Sequence, residues 1–181
     1  MKKLTIALAL TAAVCCSAAE NLIKNSDFQE VGKNGKLTGW RYSAEFKTEE
    51  SGDAKVISVQ VTAPEEGAKK TRASVSLSQK IQLPEAGKLQ LTLVGKIDGT
   101  GMINCTWRFL DESGEKIPVK KNWCKGIKGG KDEWQTVEQV VEVPEGAKSM
   151  TLFVTCSADR KRKQEGGTMY IKQISLTPVE E

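Results

Sequence analysis

Apolar and polar residues alternate strictly along this chain in short runs, and that period of two is what most narrows its fold. At 56–61, Ile57, Val59 and Val61 share one face, with Ser58 and Gln60 on the other. At 73–83 the set is Val75, Leu77, Ile81 and Leu83, and Leu89, Leu91 and Leu93 follow. Ile103, Cys105, Trp107 and Phe109 form the next set, and 134–143 and 150–156 supply two more segments. Successive side chains of a strand point to opposite faces, so each run predicts a strand with one buried face and one wet or functional face.

The punctuation agrees. The stretches 84–87, 98–101, 111–115, 128–130, 144–146 and 165–167 are rich in Gly, Pro and Asp, the residues that suit turns. No helical periodicity persists beyond a turn or two. Strand, turn and strand at short spacing predict an all-β chain folded as an antiparallel β-sandwich.

The first residues read differently. Lys2 and Lys3 precede an apolar stretch from Leu4 to Val14, too short to span a bilayer comfortably. Ser17, Ala18 and Ala19 then supply small residues before Glu20. Residues 1–19 are therefore expected to be a signal peptide and 20–181 a single domain, secreted or periplasmic, with no membrane insertion after cleavage. Cys15 and Cys16 raise the question of a lipid anchor. The small residue expected before a lipid-modified Cys is missing, since Val14 or Cys15 stands there, so simple export is the expectation.

Charge and residue types exclude several functions. Without Lys2 and Lys3 the chain carries 25 basic residues against 23 acidic, too even a balance for a general attraction to nucleic acid. There is no His, which removes Ser-His and Cys-His nucleophilic schemes and most zinc hydrolase sites. Cys105, Cys124 and Cys156 make an odd count after residue 19, so one disulfide plus one free thiol is the simplest oxidised state, with all three pairings open. Glu138 and Glu142 lie four residues apart on one predicted strand, roughly 13 Å by rise. That is wider than paired-carboxylate glycosidase geometry. No catalytic residue, metal or cofactor is expected.

Several motifs together carry a resemblance. Asn21, Asn25 and Phe28 open the chain after its first 19 residues, and Gly39-Trp40 follows a polar loop. The segment from Phe109 to Gly114 has the pattern of an apolar strand entering an Asp-x-x-Gly turn. Trp134 to Val137 reads Trp-Gln-Thr-Val and leads to Val143-Pro144. Tyr170 to Leu176 closes the pattern. In order and spacing this resembles the CenC-type carbohydrate-binding modules of families 4, 9, 16 and 22, within the galactose-binding-like jelly rolls. The resemblance implies a jelly roll that binds a polysaccharide or glycan without catalysis, on a concave sheet face or on loops at one edge. It also implies structural roles for Trp40 and Trp134. Family members often hold a structural calcium between the acidic residue after that Phe and an Asp pair in the last strand. Here those positions are Gln29, Lys172 and Gln173, so the calcium is expected to be absent, with the Lys172 ammonium as its substitute, although Asp27 and Glu30 could still rescue a site.

A sugar site wants an exposed aromatic platform and neighbouring groups that pair with hydroxyls. Trp107 is in phase with the core set. The opposite face of its strand carries Asn104, Thr106 and Arg108, whose chemistry suits hydroxyls. Phe153 is out of phase with Leu152, Val154 and Cys156 and falls on the outer face with Thr151 and Thr155. Trp123, in a Lys- and Gly-rich loop, is the leading candidate for a stacking residue; the competing reading is a loop anchor pinned through Cys124. Basic runs at 120–131 and 160–163 would bind an anionic polymer if they converged, and otherwise simply solvate loops. The rival function is a structural or adhesion component of the cell envelope that contacts a protein partner. A small polysaccharide-cleaving jelly roll is a third, which would need a close carboxylate pair in a groove.

Overall fold

The computed structural model describes residues 20–43, 46–52, 54–84 and 87–179. The expected signal peptide at 1–19, and part of the expected turn at 84–87, lie outside the described residues.

The strands in chain order are β1 (Arg41–Tyr42), β2 (Lys47–Ser51), β3 (Ala54–Thr62), β4 (Arg72–Gln82), β5 (Lys88–Gly99), β6 (Met102–Leu110), β7 (Lys116–Ile117), β8 (Ile127–Lys128), β9 (Gln135–Glu142), β10 (Ser149–Asp159) and β11 (Gly166–Pro178). One turn of 3₁₀ helix, Arg160–Arg162, links the last two. They form two antiparallel sheets. The first runs β1-β4-β10-β6-β7, with β8 also paired to β6; the second runs β2-β3-β11-β5-β9. No helix among the described residues is long and apolar enough to cross a membrane.

Alternation places the core. Leu89, Leu91, Leu93 and Ile97 of β5 meet Ile103, Cys105, Trp107 and Phe109 of β6 across the sandwich, all buried. Leu77 and Ile81 of β4 and Met150, Leu152, Val154 and Cys156 of β10 complete the inner face of the first sheet. Each fully buried Leu or Ile contributes about 1.5–3 kcal/mol relative to exposure, which fixes the strands in register. A slip of one residue would put that whole set into water.

The motifs at the two ends are structural, and they touch. Asn21 Oδ1 accepts from Leu176 N–H at 2.9 Å, and Leu22 N–H donates to Leu176 O at 2.8 Å. Asn25 Nδ2 donates to the carbonyls of Glu30 and Thr38, and its Oδ1 accepts from Glu30 N–H. Phe28 is fully buried against Trp40, with ring centroids 5.7 Å apart, and the Trp40 indole N–H donates to Asn25 O.

Four sequence expectations are corrected. The segment 165–167 is only partly a turn, because Gly166 and Gly167 already belong to β11. Neighbouring strands pass so close there that a Cβ at Gly166 would strike Val61 O, and one at Gly167 would strike Asp98 O. Trp134 is not core: it precedes β9 and is 38% exposed. Lys172 does not stand in for a cation between strand and opening segment; its ammonium lies 5.9 Å from the Trp134 ring centre. All three cysteines are buried free thiols.

Candidate functional site

The outer face of the first sheet is built from the polar half of each alternation. β4 and β6 both pair with β10, so its register aligns the rows. Phe153 lies between Ser78 and Thr106, Thr155 between Ser76 and Asn104, and Thr151 between Lys80 and Arg108. The central row continues outward on both sides. Arg41 pairs with Ser78 at one edge, and Trp123 bridges to Thr106 at the other. Arg41, Ser78, Phe153, Thr106 and Trp123 thus cross the sheet in one line, about 19 Å long at the usual strand spacing.

The five residues singled out in the sequence, Trp123, Asn104, Thr106, Arg108 and Phe153, are therefore contiguous on one surface. Arg108 places its guanidinium carbon 5.9 Å from the Phe153 ring centre, a cation–π arrangement that orients both groups. Asn104 Oδ1 is buried without a hydrogen-bond partner among the described residues. On the same face a depression of about 290 Å³ is lined by Ser76, Thr106, Arg108, Lys116, Asn122 and Phe153.

Trp123 is 52% exposed, and the reason lies in its neighbours. Cys124, not Trp123, is the loop's anchor. Trp107 N–H donates to Asn122 O and Cys124 N–H donates to Cys105 O, both at 3.0 Å, which straps residues 122–124 along β6. Cys105 N–H then donates to Cys124 Sγ at 3.3 Å. With Cys124 turned into the core, the alternation turns Trp123 out. The hydrogen bond between the two thiols, together with burial, pushes Cys105 upward from the ordinary thiol range, and the same bond lowers Cys124. Gly126 permits the close approach: a Cβ there would stand 2.6 Å from Ile103 O and 3.0 Å from Asn104 Cβ. Lys121 covers one side of the indole, with its ammonium 5.3 Å from the ring centre while donating to Gln139 Oε1 at 2.7 Å.

The segments that carry the two basic runs both reach the turn between β5 and β6, where Gly130 N–H donates to Gly99 O at 3.0 Å and Thr100 N–H donates to Gly166 O at 2.9 Å. Residues 160–162 form the 3₁₀ turn beyond β10, where Asp159 accepts from Lys161 N–H and lies 3.8 Å from Arg162 Nε. Lys131 pairs with Glu133 at 3.6 Å. Glu138 and Glu142 are both exposed.

Reading the sequence missed Arg41, Ser76, Ser78, Lys80 and Asn122 on this face. The signal for the β4 residues was present, since Ser76, Ser78 and Lys80 alternate with the core set of that strand. The other sheet carries a recess of about 380 Å³ that includes Glu49, Ser58, Gln60 and Tyr170, and Trp134 lies nearby. Two polar pairs are already made there: Ser58 bonds Glu49, and Thr168 Oγ1 donates to Gln60 Oε1 at 2.7 Å.

The two packed antiparallel sheets make a jelly-roll β-sandwich, and solved structures of carbohydrate-binding modules share this fold. The chain superposes on TmCBM61, solved with β-1,4-galactotriose, with a TM-score of 0.57 and 16% identity over 89% of this chain and 100% of that one. The CBM22-1 xylan-binding domain of Paenibacillus barcinonensis Xyn10C gives 0.56 and 12% identity, over 91% and 97% of the two chains. The enzymatically active domain of bacteriophage CBA120 tailspike protein 4 gives 0.56 and 16% identity; there this chain spans only 21% of the other. No family model and no curated protein matches the sequence.

Proposed function

We propose that the protein is an exported, non-catalytic glycan-binding module that holds a polysaccharide on the outer face of its first sheet. The observation that carries the reading is the row from Arg41 to Trp123, where a half-exposed indole ends a line of hydroxyl and aromatic side chains. Ring faces of a sugar pack on Trp123 and Phe153. The hydroxyls of Ser76, Ser78, Thr106 and Thr155 and the amides of Asn104 and Asn122 exchange hydrogen bonds with sugar hydroxyls.

Two solved structures of this fold support the choice of ligand, one being a xylan-binding domain and the other solved with a galactotriose. The strands of this sheet hold a single carboxylate, Asp159 at the end of β10, so a carboxylate-pair hydrolysis has nothing to work with on this face. Export is proposed from the charge and apolar pattern of residues 1–19.

The test is affinity electrophoresis of the purified protein and its Trp123→Ala variant through gels containing soluble polysaccharides. Retardation by a glycan that disappears in the variant supports the reading. Equal retardation of the two proteins, or none by any glycan, counts against it.

A further inference from the structure

We infer that this sheet face takes an anionic polysaccharide, one whose sugars carry carboxylate or sulfate groups. The inference rests on the glycan-binding reading and adds the charge of its ligand. It comes from how charge divides between the sheets. The strands of the first sheet carry Arg41, Arg72, Lys80, Arg108, Lys116 and Lys128 against Asp159 alone. The second sheet carries five basic residues, Lys47, Lys55, Lys88, Lys96 and Lys172, and five acidic ones, Glu49, Glu50, Asp98, Glu138 and Glu142. A chain close to neutral overall thus concentrates positive charge on the sheet that holds the aromatic row.

Position makes the charge useful. Lys80, Thr151 and Arg108 form a row parallel to the aromatic one and two residues along the strands, about 7 Å away. A sugar ring packed on Phe153 would direct an acidic substituent toward that row. Lys80, Arg108 and Lys116 form no salt bridge among the described residues. Arg108 is held over Phe153 with its fork of N–H donors available, a geometry that matches the paired oxygens of a carboxylate or sulfate. Asp159 lies at the other end of β10 from Thr151, where its carboxylate is 3.8 Å from Arg162 Nε. Asp111, Glu112 and Glu115 lie in the turn after β6, where Asp111 accepts from Ser113 Oγ–H and Glu115 N–H. Charge-assisted pairs of this kind discriminate against an uncharged ligand, because each basic group then keeps only its water.

The experiment measures binding of the purified protein to neutral β-1,4-galactan and xylan, polygalacturonate, dextran sulfate and single-stranded DNA at several salt concentrations. The expected result is at least about tenfold tighter binding to one acidic polysaccharide than to the neutral ones, the free-energy equivalent of one charge-assisted contact. That preference should shrink with salt and fall in Arg108→Gln and Lys80→Gln, and Trp123→Ala should weaken binding of every glycan. Preference for polygalacturonate assigns the carboxylate, and preference for dextran sulfate assigns the sulfate; either supports the inference. Equal or tighter Trp123-dependent binding of a neutral glycan overturns the inference and leaves the glycan-binding reading intact. DNA bound as tightly as the acidic glycan overturns it in favour of general polyanion attraction. No binding to any glycan overturns both.

Discussion

Thr106 and Trp123 face each other as a single antiparallel bridge, and that one pairing sets an exposed indole at the margin of a sheet row that continues through Phe153 and Ser78 to Arg41. A platform held by backbone pairing is oriented before the ligand arrives, and pre-orientation lowers the ordering cost of binding.

Replacing Trp123 by Ala should therefore separate binding from folding. The side chain is half-exposed, so thermal unfolding should move by no more than a surface substitution allows, about 0.5 kcal/mol. Binding of the cognate glycan should weaken by about tenfold or more, equivalent to roughly 1.4 kcal/mol. Calorimetry on the same sample reads both.

Phe28→Ala should do the reverse. Phe28 is fully buried against Trp40, so the truncation opens a cavity costing about 3–5 kcal/mol. Chemical denaturation should show the lower midpoint, while the residual folded fraction keeps its glycan affinity, because neither ring reaches the outer face of the first sheet.

Gly126→Ala tests the strap beneath Trp123. A methyl group 2.6 Å from Ile103 O must push residues 122–128 away from β6, at a cost of about 1–3 kcal/mol. Weaker glycan binding and faster exchange of the Trp107 and Cys124 amide hydrogens are expected together. Unchanged exchange would show that the strap does not depend on this contact.

Cys156 gives the protein an alkaline weakness. Burial pushes its thiol from 9.0 up to about 12. Below pH 9 the thiol is protonated in both folded and unfolded chains and costs nothing. As pH rises from 9 towards 12 the unfolded chain loses its proton first, so stability falls, by up to roughly 4 kcal/mol. Denaturation midpoints measured across that range should decline less steeply in Cys156→Ala than in the wild type, whatever the offset between them at neutral pH.

The fold was legible because the strands are nearly pure alternations. The period of Leu89, Leu91 and Leu93, and of Ile103 to Phe109, states which side is buried, and the outward positions Asn104, Thr106, Arg108 and Phe153 follow from the same count. Their alignment across strands was not legible, since register depends on which strands become neighbours. Only the pairing of β10 with both β4 and β6 brings Ser78, Phe153 and Thr106 into line. Trp134 misled for a related reason. It borders a strand with alternating apolars, yet it falls just before β9, beside Lys172, and stays half in water. Free thiols could not be told from a disulfide by counting cysteines, because Cys105 and Cys124 are 19 residues apart in sequence and meet only through the strap on β6.

The most direct test of the account is a backbone-amide NMR titration with acidic and neutral oligosaccharides, recording also the indole N–H signals of the tryptophans. The account predicts shift changes clustered on Asn104, Thr106, Arg108, Phe153 and Trp123, with Ser76 and Ser78 included and the Trp134 indole unmoved. Changes centred on Trp134, Tyr170 and Glu49, on the opposite sheet, would contradict it.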